Sequence, residues 1–178
     1  MRYVALLRGI NVGGANKVSM ADPKAAFEAA GMTAVRTYIN SGNVIFVSAR
    51  DDRAELTTLL RESVRDVVGV GVSLLVRDAD QLRAIVDALP AQWRNDDAMK
   101  CDVVFLAEGV DAAAVLQELK PRPGIEDALS LPGAVVWRVD RTDATRSRLT
   151  KIVGTPLYKQ VTVRNCNTVR KLLELVQD

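Results

Sequence analysis

Three stretches of the chain set neutral amides and bases beside an apolar run: Leu6-Leu7-Arg8-Gly9-Ile10-Asn11-Val12-Gly13-Gly14-Ala15-Asn16-Lys17, Tyr38-Ile39-Asn40-Ser41-Gly42-Asn43-Val44-Ile45-Phe46 and Thr162-Val163-Arg164-Asn165-Cys166-Asn167-Thr168-Val169-Arg170-Lys171. Such residues suit the capture of an anion. Consecutive glycines let backbone N–H groups converge, flanking bases supply charge, and a helix start offers unpaired N–H groups with a partial positive charge. The expectation is one shared site for a phosphate-bearing or otherwise anionic small ligand. Arg8, Lys17 and Arg164 would supply charge and Gly13 and Gly14 backbone donors, while Asn11, Asn40, Asn43, Asn165 and Asn167, with Ser41 beside them, would fix orientation.

Each stretch also has a plainer reading. Glycine and asparagine are what a tight turn requires, and Asn167 would cap the final helix in either case. The first stretch is not a P-loop: Gly9 and Gly14 have the right separation, but Ala15 and Asn16 stand where lysine and a hydroxyl residue belong. The dinucleotide pattern G-x-G-x-x-G also fails.

Other chemistries are narrowed by what is missing. The chain has no histidine, which removes the commonest general base, the usual Ser-His and Cys-His pairs and most zinc sites. Cys101 and Cys166 lie far apart in unlike contexts, so neither a metal site nor a disulfide scaffold is expected, and a reducing cytoplasm fits. Cys166 near a helix start is a weak nucleophile candidate without a base, and Cys101 opens a hydrophobic strand. The pairs Asp51-Asp52 and Asp96-Asp97 read as a helix cap and a solvated loop, so no metal and no cofactor is expected.

The elements that must position these residues follow from periodicity. A strand at about Tyr3 to Leu7 runs into the glycine segment, Asp22-Pro23 opens a short helix and Gly31 stops it. Runs at Ala34 to Ile39 and Val44 to Val47 flank Asn40-Ser41-Gly42-Asn43 as a hairpin. Leu56, Leu59, Leu60, Val64 and Val67 recur at helical spacing, and Val70 to Val76 alternates like a strand. The order βαββαβ is the ferredoxin-like unit, over residues 1–77. A connecting helix at Asp78 to Leu89 and a polar loop fill residues 78–100.

A second cycle fills residues 101–178: a strand at Asp102 to Ala107, a helix at Val110 to Leu119, and a hairpin through Pro132-Gly133. A helix at Thr142 to Val153, a short strand at Val161 to Val163 and a last helix at Thr168 to Val176 complete it. The expected fold class is α+β, with two ferredoxin-like halves of antiparallel sheet joined by a connecting helix.

Hydrophobic residues make up 48% and charged residues 26%, a globular balance. No run approaches a membrane span, and the first residues are too short an apolar segment for a signal peptide. Net charge is +2, too balanced for the basic footprint of a typical nucleic-acid binder.

Taken together with Lys100-Cys101-Asp102-Val103-Val104-Phe105-Leu106, the three polar stretches resemble the bacterial family catalogued as domain of unknown function 1697, over nearly the whole chain. The resemblance implies a small, soluble, cytoplasmic α+β protein of two ferredoxin-like halves, and it implies no activity. The family pattern often carries tryptophan where this chain has Cys166, which points to packing at that position.

Three alternatives accompany the anion site. A single-stranded nucleic-acid binder would use an open sheet face, against the low aromatic content of 4%. An interaction module would use the amides only to hold loops, and a histidine-independent enzyme would act on a phosphorylated substrate by electrostatics alone. The sequence leaves oligomeric state open, since edge strands of either half could pair.

Overall fold

The apolar run near the N-terminus forms strand β1 (Arg2–Arg8), and its residues from Tyr3 to Leu7 are all buried. Burial on both faces explains why β1 reads as a continuous run and not an alternation. The structure is a computed structural model, and it describes residues 1–10, 19–69 and 72–178. After β1 come α1 (Ala21–Ala29), β2 (Thr33–Tyr38), β3 (Asn43–Val47), α2 (Arg53–Val68) and β4 (Ser73–Asp78). The strands pair antiparallel in the order β2-β3-β1-β4, the ferredoxin-like arrangement. Ala26 and Phe27 of α1 and Leu56, Leu60 and Val64 of α2 pack against Tyr3, Ala5, Leu7, Val44, Phe46, Leu74 and Val76. Phe46 is core, stacked on Tyr3 and edge-on to Phe27.

Helix α3 (Ala79–Ala88) then leads to β5 (Met99–Leu106), α4 (Ala112–Leu119), β6 (Glu126–Leu131) and β7 (Ala134–Asp140). Three 3-10 helices (Arg141–Arg146, Leu149–Ile152 and Pro156–Gln160) precede β8 (Val161–Asn165) and α5 (Cys166–Gln177). The second sheet repeats the first in the order β6-β7-β5-β8. Its core joins Val104, Leu106, Val135, Trp137 and Val161 to Val115 and Leu119 of α4 and to Leu149, Ile152 and Leu157 of the 3-10 segments. Both halves are therefore ferredoxin-like and the protein is α+β.

The helix expected over Thr142 to Val153 is instead this run of 3-10 turns. Side chains compete for its backbone: Thr150 Oγ1 donates to the Ser147 carbonyl (2.9 Å), Ser147 Oγ accepts from Leu149 N (3.2 Å), and Glu126 accepts from Arg148 N (3.0 Å). Glu126 is buried and also takes the Trp137 Nε1–H (2.8 Å) and the Arg122 N–H (3.0 Å). Burial alone would raise its pKa, yet the N–H groups of Arg122 and Arg148, the Ser147 side chain and Trp137 together hold it below the usual value.

The chain divides into two compact units, Met1–Leu82 with Leu172–Asp178, and Arg83–Lys171. Within the first, Arg2 and Arg36 donate to the carbonyls of Gln177 and Leu175, the latter at 2.6 Å, in the last turn of α5. Two guanidinium groups thus satisfy carbonyls that the helix leaves unpaired at its end.

Candidate functional site

In the first unit two of the three polar stretches meet. Leu7 N donates to the Gly42 carbonyl at 2.7 Å, which clamps the turn between β2 and β3 onto the end of β1. Gly42 has φ +77°, and a Cβ there would fall 2.7 Å from the Leu7 carbonyl oxygen, so only glycine permits the approach. Leu6 stands opposite Asn43 and Arg8 opposite Ser73, so Arg8 and Asn43 face the same side of the sheet. Arg8 is half-buried; Asn40 and Ser41 are exposed. Asn43 is fully buried, and its Nδ2 donates to the Tyr38 carbonyl (3.1 Å) and to Ser41 Oγ (2.8 Å), so its amide closes the turn. Asn11, Gly13, Gly14 and Lys17 lie outside the described residues.

The same turn contains strain. Ile39, a β-branched residue, has φ +49° and is 49% exposed. Left-handed backbone is unfavourable for such a side chain, and strain of this kind concentrates at binding and switch sites.

The second unit supplies an internal reference. Leu106 N donates to the Gly133 carbonyl at 3.0 Å, with Gly133 at φ +73°, the counterpart of Leu7 and Gly42. There the strand-to-helix connection needs only residues 107–111, whereas residues 9–20 join β1 to α1. The first-unit connection is more than twice as long, and it carries the glycines, asparagines and Lys17. Connections in compact domains are usually short, and long ones are often functional.

The third stretch belongs to the second unit. Strand β8 runs straight into α5 without a loop, so the helix starts two residues earlier than the sequence pattern suggests. Its cap is Asn165, whose Oδ1 accepts from Thr168 N at 2.9 Å, and not Asn167. Asn167 instead grips a distant peptide: Nδ2 donates to the Asn95 carbonyl (2.8 Å) and Oδ1 accepts from Asn95 N (3.3 Å). Arg141 donates to the Asp96 carbonyl (2.9 Å) and Asn95 Oδ1 (3.1 Å), and Arg170 to the carbonyls of Trp93 (2.9 Å) and Pro90 (3.3 Å). Arg164 is buried, donates to the Val163 carbonyl (2.8 Å), and has its pKa drawn down to about 10 by desolvation.

Asn95, Arg141 and Arg170 were not singled out from sequence, and no local pattern marks them. Their partners are brought together by strand pairing alone. Asn167 and Arg170 tether the 90–96 segment to the start of α5. Among the described residues no group of three or more histidine, cysteine, aspartate or glutamate side chains is gathered to hold a metal ion. Nor is any described helix long and apolar enough to cross a membrane.

Fold and geometry define an α+β protein built from two ferredoxin-like units, the first with its β2–β3 turn clamped onto the end of β1. The chain belongs to the family described as "Protein of unknown function (DUF1697)", whose model matches residues 1–137. It is 31% identical to a conserved bacterial protein from Streptococcus pneumoniae, with 98% of each chain covered and a TM-score of 0.78. An unknown protein from Galdieria sulphuraria is 14% identical over 92% of this chain and 96% of that one, but at a TM-score of 0.27 the likeness carries no argument. No curated protein matches the chain.

Proposed function

We propose that the protein binds a small phosphate-bearing or otherwise anionic ligand at the end of the first sheet. Arg8 and the Asn40–Ser41 turn form one side of the site, and Asn11, Gly13, Gly14 and Lys17 contribute from the connection that follows β1. The observation that supports this reading is the clamp between Leu7 and Gly42, because it sets the hairpin turn beside the point where that long connection begins. A guanidinium and backbone N–H groups suit an anion's oxygens. The site works by recognition and positioning. The two unpaired cysteines fit a reducing compartment such as the cytoplasm.

A second reading has its own support. The amides of Asn43, Asn165 and Asn167 are engaged within the fold, as an interaction module without a ligand would have them. Thermal denaturation against inorganic phosphate, nucleotides, sugar phosphates and short RNA, each at low and moderate salt, separates the readings. A ligand at 100 times its dissociation constant adds about 2.7 kcal/mol, which is worth several degrees for a chain of this size. A salt-tolerant shift with one small anion, lost in Arg8→Ala and kept in Asn165→Ala, is expected. A shift with RNA alone that collapses with salt would instead indicate nucleic-acid binding. No shift with any compound would leave the interaction module.

A further inference from the structure

The two cysteines, remote in sequence, are neighbours in the second unit. The antiparallel ladder between β5 and β8 ends with Asp102 opposite Asn165, and one step further brings Cys101 against Cys166. Both side chains are fully buried and both thiols are free. Opposed residues of an antiparallel ladder have Cα spacings of about 4.5–5.5 Å, inside the window of about 4.4–6.8 Å that a disulfide spans, and Cys101 and Cys166 each lie one residue beyond the last such rung.

Their surroundings make the pair unequal. Cys166 is the first residue of α5, and Arg170, one turn on, directs Nη1 at its sulfur from 3.6 Å. The Cys166 thiol donates a hydrogen bond to the Trp93 carbonyl, 3.6 Å from the same sulfur. The proximity of the two thiols and the Arg170 charge lower the Cys166 pKa against burial and Asp102, which oppose them, while the same proximity, burial and Asp102 raise that of Cys101. The direction of these shifts suits Cys166 to the attacking and Cys101 to the resolving part.

We propose that Cys101 and Cys166 form a reversible internal disulfide on exposure to a hydroperoxide, fastening the start of α5 to β5. The Cys166 thiolate attacks one oxygen of the O–O bond, forming an S–O bond while the other oxygen leaves with the electron pair. The leaving alkoxide or hydroxide takes up the proton that Cys166 had released. The Cys101 sulfur then attacks the Cys166 sulfenic acid: an S–S bond forms, the S–O bond breaks, and the departing hydroxide takes the Cys101 proton as water. Overall the dithiol loses two electrons and two protons, and the hydroperoxide becomes an alcohol, or water, plus one water. Because both sulfurs are buried, an oxidant reaches them through local opening of the native state.

The test is intact-mass analysis of the reduced full chain after hydrogen peroxide, quenched with N-ethylmaleimide in denaturant. The expected product has lost about 2 Da, carries no alkylation and returns to the dithiol with dithiothreitol. Cys101→Ala should leave a sulfenic acid on Cys166 that dimedone traps, and Cys166→Ala should leave Cys101 unmodified. Two alkylations after a dose that fully oxidises free glutathione would overturn the proposal. So would sulfinic or sulfonic acid without a disulfide, or disulfide-linked dimers. The wild-type masses decide the matter even if a variant fails to fold.

Discussion

Asn167 holds the peptide of Asn95 by both its groups, donating to the carbonyl and accepting from the N–H. An amide side chain here replaces a rung of backbone pairing and pins a segment that has no strand of its own. Asn167→Ala removes both bonds at an exposed position and is expected to cost about 1 kcal/mol in urea denaturation. Asn165→Ala removes the helix cap and should cost about 1 kcal/mol as well.

Gly42→Ala is expected to be more damaging. The new methyl would meet the Leu7 backbone carbonyl at 2.7 Å, and the φ of +77° is strained for any L side chain. A loss of about 2–4 kcal/mol should appear as a lowered urea midpoint. Any ligand-induced shift that Arg8 supports should weaken in the same variant.

Strain at Ile39 runs the other way. The residue is half-exposed in left-handed backbone, so Ile39→Asn sacrifices little burial and relieves a cost of about 1 kcal/mol. The melting temperature should rise by a few degrees.

Two buried carboxylates should respond oppositely to pH. The folded pKa of Glu126 is depressed, so its contribution is full above the unfolded value of about 4.3. That contribution is lost as pH falls through the folded value. Glu126→Gln should cost about 2–3 kcal/mol at neutral pH and flatten the acid limb of the stability curve.

Asp102 is raised, chiefly by burial and despite Lys100 at 3.5 Å. Its ionised form therefore weakens the native state at neutral pH, and that penalty fades as pH falls through the folded value toward the unfolded one. Asp102→Asn should leave stability at pH 7 unchanged or slightly higher, and should remove the gain on acidification in a pH series of melts.

What the sequence conveyed depended on how local the cause was. The stripe of Leu56, Leu60 and Val64 and the turn through Gly42 announce their elements because period and turn chemistry act over a few residues. The 3-10 run after β7 was hidden because Glu126, from another strand, and the hydroxyls of Ser147 and Thr150 take its backbone partners. By sequence the cap of the last helix is Asn167, and only the unbroken passage from β8 into α5 moves it to Asn165. The neighbourhood of Cys101 and Cys166, like that of Asn95 and Asn167, exists only once β5 and β8 pair. Of the proposed ligand site, Arg8 and the hairpin turn were readable as a set because the short hairpin lies next to β1. Their clamp through Gly42 was not.

The bonds from Arg2 and Arg36 to the last turn of α5 bear on how the chain is made. Residues 172–178 belong to the unit begun by residues 1–82, yet a ribosome delivers them only after everything in between, at about 5–20 residues per second. For those seconds the first unit lacks the segment whose carbonyls Arg2 and Arg36 bond. Until then water must stand in for those carbonyls at both guanidinium groups.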